Sequence, residues 1–174
     1  MGYIHDTAMS QFIPPNQIEF SAGTWALAVA SNVWSMDRTA ADASFTVYVP
    51  VLVPSNSVAL KGVKLESVEL MWATSVEVMD DVATVALYTD TLQASAASGS
   101  GTINTAAAIT QTQDTGHDTD ADRLAIDEHR MKVTITTPVW LDNDVAVHLE
   151  VVFNAGTNGV VKVFGAIANY TVRL

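Results

Sequence analysis

The sequence contains no cysteine, and this absence limits its chemistry. Without thiols the chain forms no disulfides, offers no thiolate nucleophile and cannot build a zinc site on sulfur. Basic residues are also few, with eight lysines and arginines against nineteen aspartates and glutamates, for a formal net charge of −11. This charge repels phosphate backbones and anionic lipid surfaces. We therefore expect no nucleic acid or membrane partner, and we favour positively charged surfaces and other proteins.

Membrane spans and export signals are missing as well. Residues 20–36 and 43–60 are uncharged and long, but Ser and Asn interrupt both, and the second contains Pro50 and Pro54. The first residues, MGYIHDTAMSQFIPP, lack the basic and apolar regions of a secretory signal. The sequence predicts a soluble protein that is synthesised in the cytoplasm.

The pattern that is present has a period of two. Met131, Val133 and Ile135 alternate with polar residues in MKVTITTPVWL, and DVAVHLEVVF and GVVKVFGAIANYTVRL have similar strand composition. Helical periodicity of any length is absent. About eight strands separated by turn signals predict an all-β fold, a two-sheet antiparallel β-sandwich of the jelly-roll type.

Several local features predict how these strands are arranged. NAGTNG, with its Asn and Gly residues, predicts a hairpin turn before the last strand. A change of apolar parity in GVKLESVELMW predicts a bulge near Glu66 to Val68. VATVALYTD is expected to pair back on that strand, with Ala83, Val85 and Leu87 on one side. GTWALAVASNVW is expected to form one or two strands with an Asn turn.

The chain divides into an extended N-terminal arm, residues 1–20, and a single β-sandwich domain, residues 21–174. The arm is too irregular for a core strand and ends in a Pro-Pro pair that stiffens it. We expect it either to bind a partner or to pack on its own domain. The candidate partner-binding residues are Tyr3, Ile4, Phe12, Ile13 and Pro14.

The acidic stretch DTGHDTDADR, residues 114–123, is the densest group of potential ligands. Asp118, Asp120 and Asp122 have the alternate spacing of the first carboxylates in a calcium loop. The rest of that motif fails, because Arg123 replaces the turn glycine and His129 occupies the position of the closing glutamate. We therefore interpret the stretch as a solvated loop and predict no metal or cofactor, with calcium at the three aspartates as the alternative.

Catalytic signatures are not apparent. His117 with Asp114 and Asp118 could be a metal or acid/base cluster, but the four histidines lack ligand spacing. There is no Gly-x-Ser-x-Gly elbow and no phosphate-binding loop. The tryptophans are Trp25, Trp34, Trp72 and Trp140, and we interpret them as core or interface residues, with an exposed carbohydrate platform as the alternative. The sequence predicts that the protein is not an enzyme.

The FIPP arm, the strands, the Ser/Thr/Ala-rich middle, the acidic loop and the closing ANYTVRL together resemble small jelly-roll virion proteins of tailed bacteriophages. The resemblance is to capsid decoration, or cement, proteins, and it covers most of the chain without a diagnostic motif. It implies a homotrimer in the virion that binds a capsid protein and stabilises the assembled shell. The alternatives are a carbohydrate-binding β-sandwich module, another virion subunit (fibre, tail or shell protein) and a cupin-like metal enzyme.

Overall fold

The computed structural model describes residues 5–54, 62–92, 104–142 and 144–173. In these ranges no helix is long and apolar enough to cross a membrane. The described chain forms a 3-10 turn at Pro15–Gln17, a one-turn helix and twelve strands. Their bounds are β1 (Asp6–Ile13), β2 (Glu19–Phe20), β3 (Trp25–Ala30), β4 (Val33–Arg38), β5 (Ala43–Val51), β6 (Val63–Ser75), β7 (Met79–Leu92), β8 (Asn104–Ile109), β9 (Gln111–Gln113), α1 (Asp120–Arg123), β10 (Glu128–Leu141), β11 (Val145–Ala155) and β12 (Val160–Arg173).

The strands form two antiparallel sheets that pack face to face. The seven-stranded sheet has the order β3-β4-β12-β6-β10-β9, and β1 also pairs with β12. The five-stranded sheet has the order β2-β5-β11-β7-β8. The predicted all-β, two-sheet sandwich is confirmed.

The pairing is that of a long two-stranded ribbon rolled into a sandwich. β4 pairs with β12, β5 with β11, β6 with β10 and β7 with β8, while consecutive strands from β4 to β7 alternate between the sheets. This is the jelly-roll arrangement. Two local predictions were therefore wrong: β7 does not pair back on β6, and NAGTNG joins two sheets instead of closing a hairpin. A turn signal fixes where the chain reverses, but not which strand receives its hydrogen bonds.

Alternating apolar residues from both sheets build one core. Met131, Val133 and Ile135 of β10 are buried, as their alternation predicts, and so are Leu149 and Phe153 of β11. Burying each such side chain contributes roughly 1.5–3 kcal/mol. A row of rings continues through this core, each in contact with the next: Phe20, Trp25, Phe45, Phe153, Trp72 and His129.

Bulges in the strands change which residues face inward. The register of β12 on β6 shifts at Glu66, between the pairs Asn169–Ser67 and Tyr170–Leu65, so the predicted bulge is confirmed. A second shift lies where β7 pairs with β11. There Val82 is buried and Ala83 is exposed while Leu87 is buried, which corrects the prediction that Ala83 and Leu87 lie on one side.

The arm forms a strand, contrary to the expectation of irregular structure. All eight residues of β1 pair with β12, from Asp6 opposite Arg173 to Ile13 opposite Ala166. Backbone hydrogen bonds to β12 hold this strand in place. An apolar pattern in the sequence does not reveal such bonds. Gly165 makes the close approach possible: its φ is +134°, and a Cβ atom there would lie 2.7 Å from the carbonyl oxygen of Ile13.

Candidate functional site

The β3–β4 hairpin extends past the strand to which it is joined. β4 pairs with β12 only at Met36 and Asp37, so the outer residues of the hairpin pair with each other. Ser31 and Asn32 connect the two strands, both with positive φ, as the mirror-image hairpin turn requires. The two strands and the Asn turn predicted for GTWALAVASNVW are confirmed. A short two-stranded hairpin is marginally stable by itself, so this one gains from further packing.

The two faces of this hairpin differ. Leu27 and Val29 alternate along β3, and Trp34 lies directly opposite Val29, so the three side chains share one face. They are 53%, 72% and 40% exposed. We call these three residues the hairpin surface. Ala30 and Val33 occupy the other face and line a groove of ≈ 490 Å³ together with Phe164 of β12.

The three aspartates of the calcium-like spacing do not converge. The carboxylate of Asp120 accepts the backbone N–H of Val82 at 2.9 Å, and that of Asp122 accepts the Thr119 hydroxyl at 2.5 Å. Asp118 is exposed. Among the residues that the structure describes, no three His, Cys, Asp or Glu side chains are grouped so that they could hold a metal ion.

This acidic loop closes one end of the sandwich. Arg123 is buried, and its Nε donates to the carbonyl of Val82 at 2.9 Å while its Nη1 donates to the carbonyl of His117 at 2.9 Å. Asp120 and Arg123 therefore bind both backbone groups of Val82 in β7. Arg123, which stands where a calcium-binding loop has glycine, therefore holds this loop against β7.

His117 and His129 meet at the same end, although they are 12 residues apart. His117 Nδ1 lies 2.8 Å from Asp114 Oδ1, and its Nε2 lies 3.3 Å from His129 Nδ1. His129 Nε2 lies 3.0 Å from the carbonyl oxygen of Ala125, and its ring stacks on Trp72 at 4.7 Å. His117 thus contacts Asp114, its neighbour in the acidic stretch, and His129 is a partner that the sequence analysis did not identify.

Hydrogen bonding accounts for all four ring nitrogens of the pair. The partners are the carboxylate of Asp114 and the carbonyl oxygen of Ala125 at the two ends, and the two inner ring nitrogens contact each other. Because each nitrogen already has a partner, the pair fastens the loop to β10 and β6 and leaves no imidazole nitrogen directed at a substrate.

Asp114 is held in its ionised form. Burial alone would raise the pKa of its carboxyl group, but hydrogen bonds outweigh burial and keep the pKa below its usual value. The donors are the backbone N–H of Lys132 at 2.5 Å, the His117 ring at 2.8 Å and the backbone N–H of Gly116 at 3.1 Å. The backbone N–H of Asp114 in turn donates to the carbonyl oxygen of Lys132 at 3.0 Å, which extends the seven-stranded sheet beyond the end of β9.

The four tryptophans do not form a shared platform. Trp72 is fully buried, and its indole N–H has no hydrogen-bond partner in the described part of the chain. Trp25 stacks on Phe20 at 3.7 Å. Trp140 lies under the guanidinium of Arg173 at 4.8 Å, and Trp34 is on the hairpin surface.

The candidate arm residues have different positions. Tyr3 and Ile4 lie outside the described residues. Phe12 is 54% exposed, Pro14 is half-buried and Ile13 is fully buried in the core. Phe12 and Pro14 therefore stay predictions for a partner contact, whereas Ile13 has a structural role in its own domain.

No family model matches the chain, and no curated protein is similar to it in sequence.

Proposed function

We propose that this protein is a non-enzymatic structural subunit that binds other protein subunits, and specifically that it is a capsid decoration protein of a virion. One observation carries the proposal: the hairpin surface presents Leu27, Val29 and Trp34 to solvent on an element with little packing of its own. An apolar surface of this kind is characteristic of protein interaction sites. Covering it would bury apolar area and stabilise the hairpin at the same time.

The proposed assembly is a homo-oligomer, with three copies as the expected number. The hairpin surface of one copy would pack on the next copy around the ring. A subunit of this type stabilises a shell by binding only its assembled form, because mass action then favours the intact particle. Many identical weak contacts add up to strong attachment. The jelly-roll fold, which is shared by many viral coat proteins, supports this reading by analogy only.

The oligomeric state of the purified chain tests the proposal. We expect sedimentation velocity to give a species of about three times 18.5 kDa for the wild type. The double variant Leu27→Ser/Val29→Ser removes exposed apolar area and should sediment as a monomer with an unchanged far-UV spectrum. Val78→Ser is the control at another place, since Val78 is about as exposed as Leu27.

Two outcomes would overturn the proposed role of the hairpin. In the first, the wild type is monomeric at every concentration. In the second, the double variant keeps the wild-type oligomeric state.

A further inference from the structure

The outer face of the five-stranded sheet has no positive charge on its strands. β2, β5, β7, β8 and β11 contain no lysine or arginine. They contain five carboxylates: Glu19, Asp80, Asp81, Asp90 and Glu150. An uncovered sheet face with charge of one sign favours a ligand of the opposite sign.

Tyr48 lies on β5, next to the short edge strand β2, and between two of the carboxylates. Glu19 of β2 is directly opposite Tyr48 on one side, and Glu150 of β11 is directly opposite it on the other. Directly opposed residues of antiparallel strands have Cβ atoms about 4.5–5.5 Å apart. Val47 and Val49, the neighbours of Tyr48 along β5, are buried, so Tyr48 points outward and is half-buried.

A second row of side chains forms a wall beside Tyr48. Pro50, His148 and Tyr88 lie opposite one another on β5, β11 and β7. The rings of His148 and Tyr88 stack at 5.5 Å, and His148 Nδ1 lies 2.9 Å from Asp90 Oδ2. Asp90 thus already has a cationic or hydrogen-bonding partner, which leaves Glu19 and Glu150 as the carboxylates beside Tyr48.

A groove of ≈ 370 Å³ opens between these rows, lined by Glu19, Tyr48, Pro50 and His148. It combines an aromatic ring, a flat wall and the carboxylate of Glu19, and strand register places Glu150 on the other side of Tyr48, next to the groove. Aromatic faces attract cations, and a planar guanidinium stacks on a ring while its N–H groups reach carboxylates. An ammonium group has the charge but not the planar shape.

We infer that this groove binds an arginine side chain in a segment of a partner protein, with the guanidinium against Tyr48 and between Glu19 and Glu150. The inference goes beyond the proposed function, because it names the chemical group that a partner would insert. The groove lies on the five-stranded sheet, whereas the hairpin belongs to the seven-stranded sheet. It requires no contribution from Leu27, Val29 or Trp34.

The test is a titration of the full chain, labelled with ¹⁵N, with the blocked peptide acetyl-Gly-Arg-Gly-amide at low ionic strength. We expect saturable shifts of the backbone amides around Tyr48, His148 and Glu150, weakened by added sodium chloride. The peptide with citrulline in place of arginine has the same shape without the charge and should produce no such shifts.

Substitutions test which residues bind the arginine side chain. Glu19→Gln/Glu150→Gln should weaken binding roughly tenfold, since both charge-assisted contacts are lost. Tyr48→Ala should weaken it several-fold, while Tyr48→Phe keeps the ring face and should bind like the wild type. Glu66→Gln removes a carboxylate from the other sheet and is the matched control.

The inference is wrong if the citrulline peptide binds as well as the arginine peptide, or if the double glutamine variant binds unchanged. Shifts of the same amides by a neutral trisaccharide instead would show a carbohydrate site and would also overturn it. Sedimentation of the same variants separates this result from the proposed function: loss of arginine binding leaves the oligomer intact, and failure of the hairpin proposal leaves the titration unaffected.

Discussion

The seven-stranded sheet pairs its charges internally, whereas the five-stranded sheet presents carboxylates outward. The strands of the former contain six basic residues (Arg38, Lys64, Arg130, Lys132, Lys162 and Arg173) and five acidic ones (Asp6, Asp37, Glu66, Glu69 and Glu128). The latter has five acidic residues and no lysine or arginine on its strands. Both sheets nevertheless contribute to the same core. The core therefore specifies the fold, and the outer faces are free to differ in chemistry.

The ion pairs show how the seven-stranded sheet is neutralised. Lys64 contacts Glu66 at 3.2 Å, Lys162 contacts Asp37 at 3.3 Å, Arg130 contacts Glu69 at 2.7 Å and Arg173 contacts Asp6 at 2.9 Å. On the five-stranded sheet the contact of His148 with Asp90 involves an imidazole. The difference teaches that the net charge of the chain is concentrated on one face and on the loops, where it can act on a partner.

A change in the shared core should have the largest effect and should affect both sheets together. Trp72→Ala removes a fully buried ring that contacts Phe153 in the opposite sheet, and we expect a loss of about 3–5 kcal/mol in the free energy of unfolding. Urea denaturation measures it. Trp34→Ala, at an exposed position, is the control and should cost much less. Separate unfolding transitions for the two sheets would contradict a common core.

Neutralising one glutamate in each sheet sharpens the comparison. Glu69 is 9% exposed and accepts bonds from Arg130 Nε at 2.7 Å and Asn169 Nδ2 at 2.9 Å. Because Arg130 is largely exposed, we expect Glu69→Gln to cost only about 1 kcal/mol in the free energy of unfolding. Glu150→Gln should change it by less than about 0.5 kcal/mol. Equal losses in the two variants would remove the distinction between a structural and an outward-facing carboxylate.

Low pH should destabilise the edge of the seven-stranded sheet by protonating Asp114. Its pKa is lowered in the folded state, so its stabilising effect is complete above the unfolded value of about 3.9 and is lost as the pH falls through the folded pKa. Asp114→Asn should therefore lower the free energy of unfolding at neutral pH by about 0.5–1 kcal/mol, discounted for partial exposure. At a pH below the folded pKa of Asp114 the variant and the wild type should converge.

Urea denaturation at several pH values measures this difference, and Asp118→Asn, at an exposed position of the same loop, is the control. If the difference in the free energy of unfolding between Asp114→Asn and the wild type grows as the pH falls, the predicted direction of the pKa shift is wrong.

The sequence predicts the strands better than their partners. The alternation of Met131, Val133 and Ile135 is a local consequence of one buried face, so it can be seen in a single segment. The sheet to which β7 or β12 belongs depends on residues far along the chain, and no local pattern encodes it. β1 was missed for a related reason, since its hydrogen bonds to β12 come from the backbone.

The same limit applies to the sites. His117 and His129 show no ligand spacing because the fold, and not their separation in sequence, brings them onto Trp72. The row of Glu19, Tyr48 and Glu150 joins three strands that are remote in sequence. Tyr48 and Glu150 do occupy outward positions in alternating strands, and that signal could have identified each of them singly. The exposed β3–β4 hairpin could have been predicted from the sequence, because its Asn turn was correctly predicted.

Gly165 decides whether a first strand can pair with β12 at all. A methyl group at this position would collide with the carbonyl oxygen of Ile13 and the ring of Phe12. The first strand would then leave, and β12 would keep a row of unsatisfied donors and acceptors along that edge. The first strand of a neighbouring copy carries the same Ile13 and Phe12 and would meet the same methyl group, so any first strand that pairs along this edge needs a glycine at position 165.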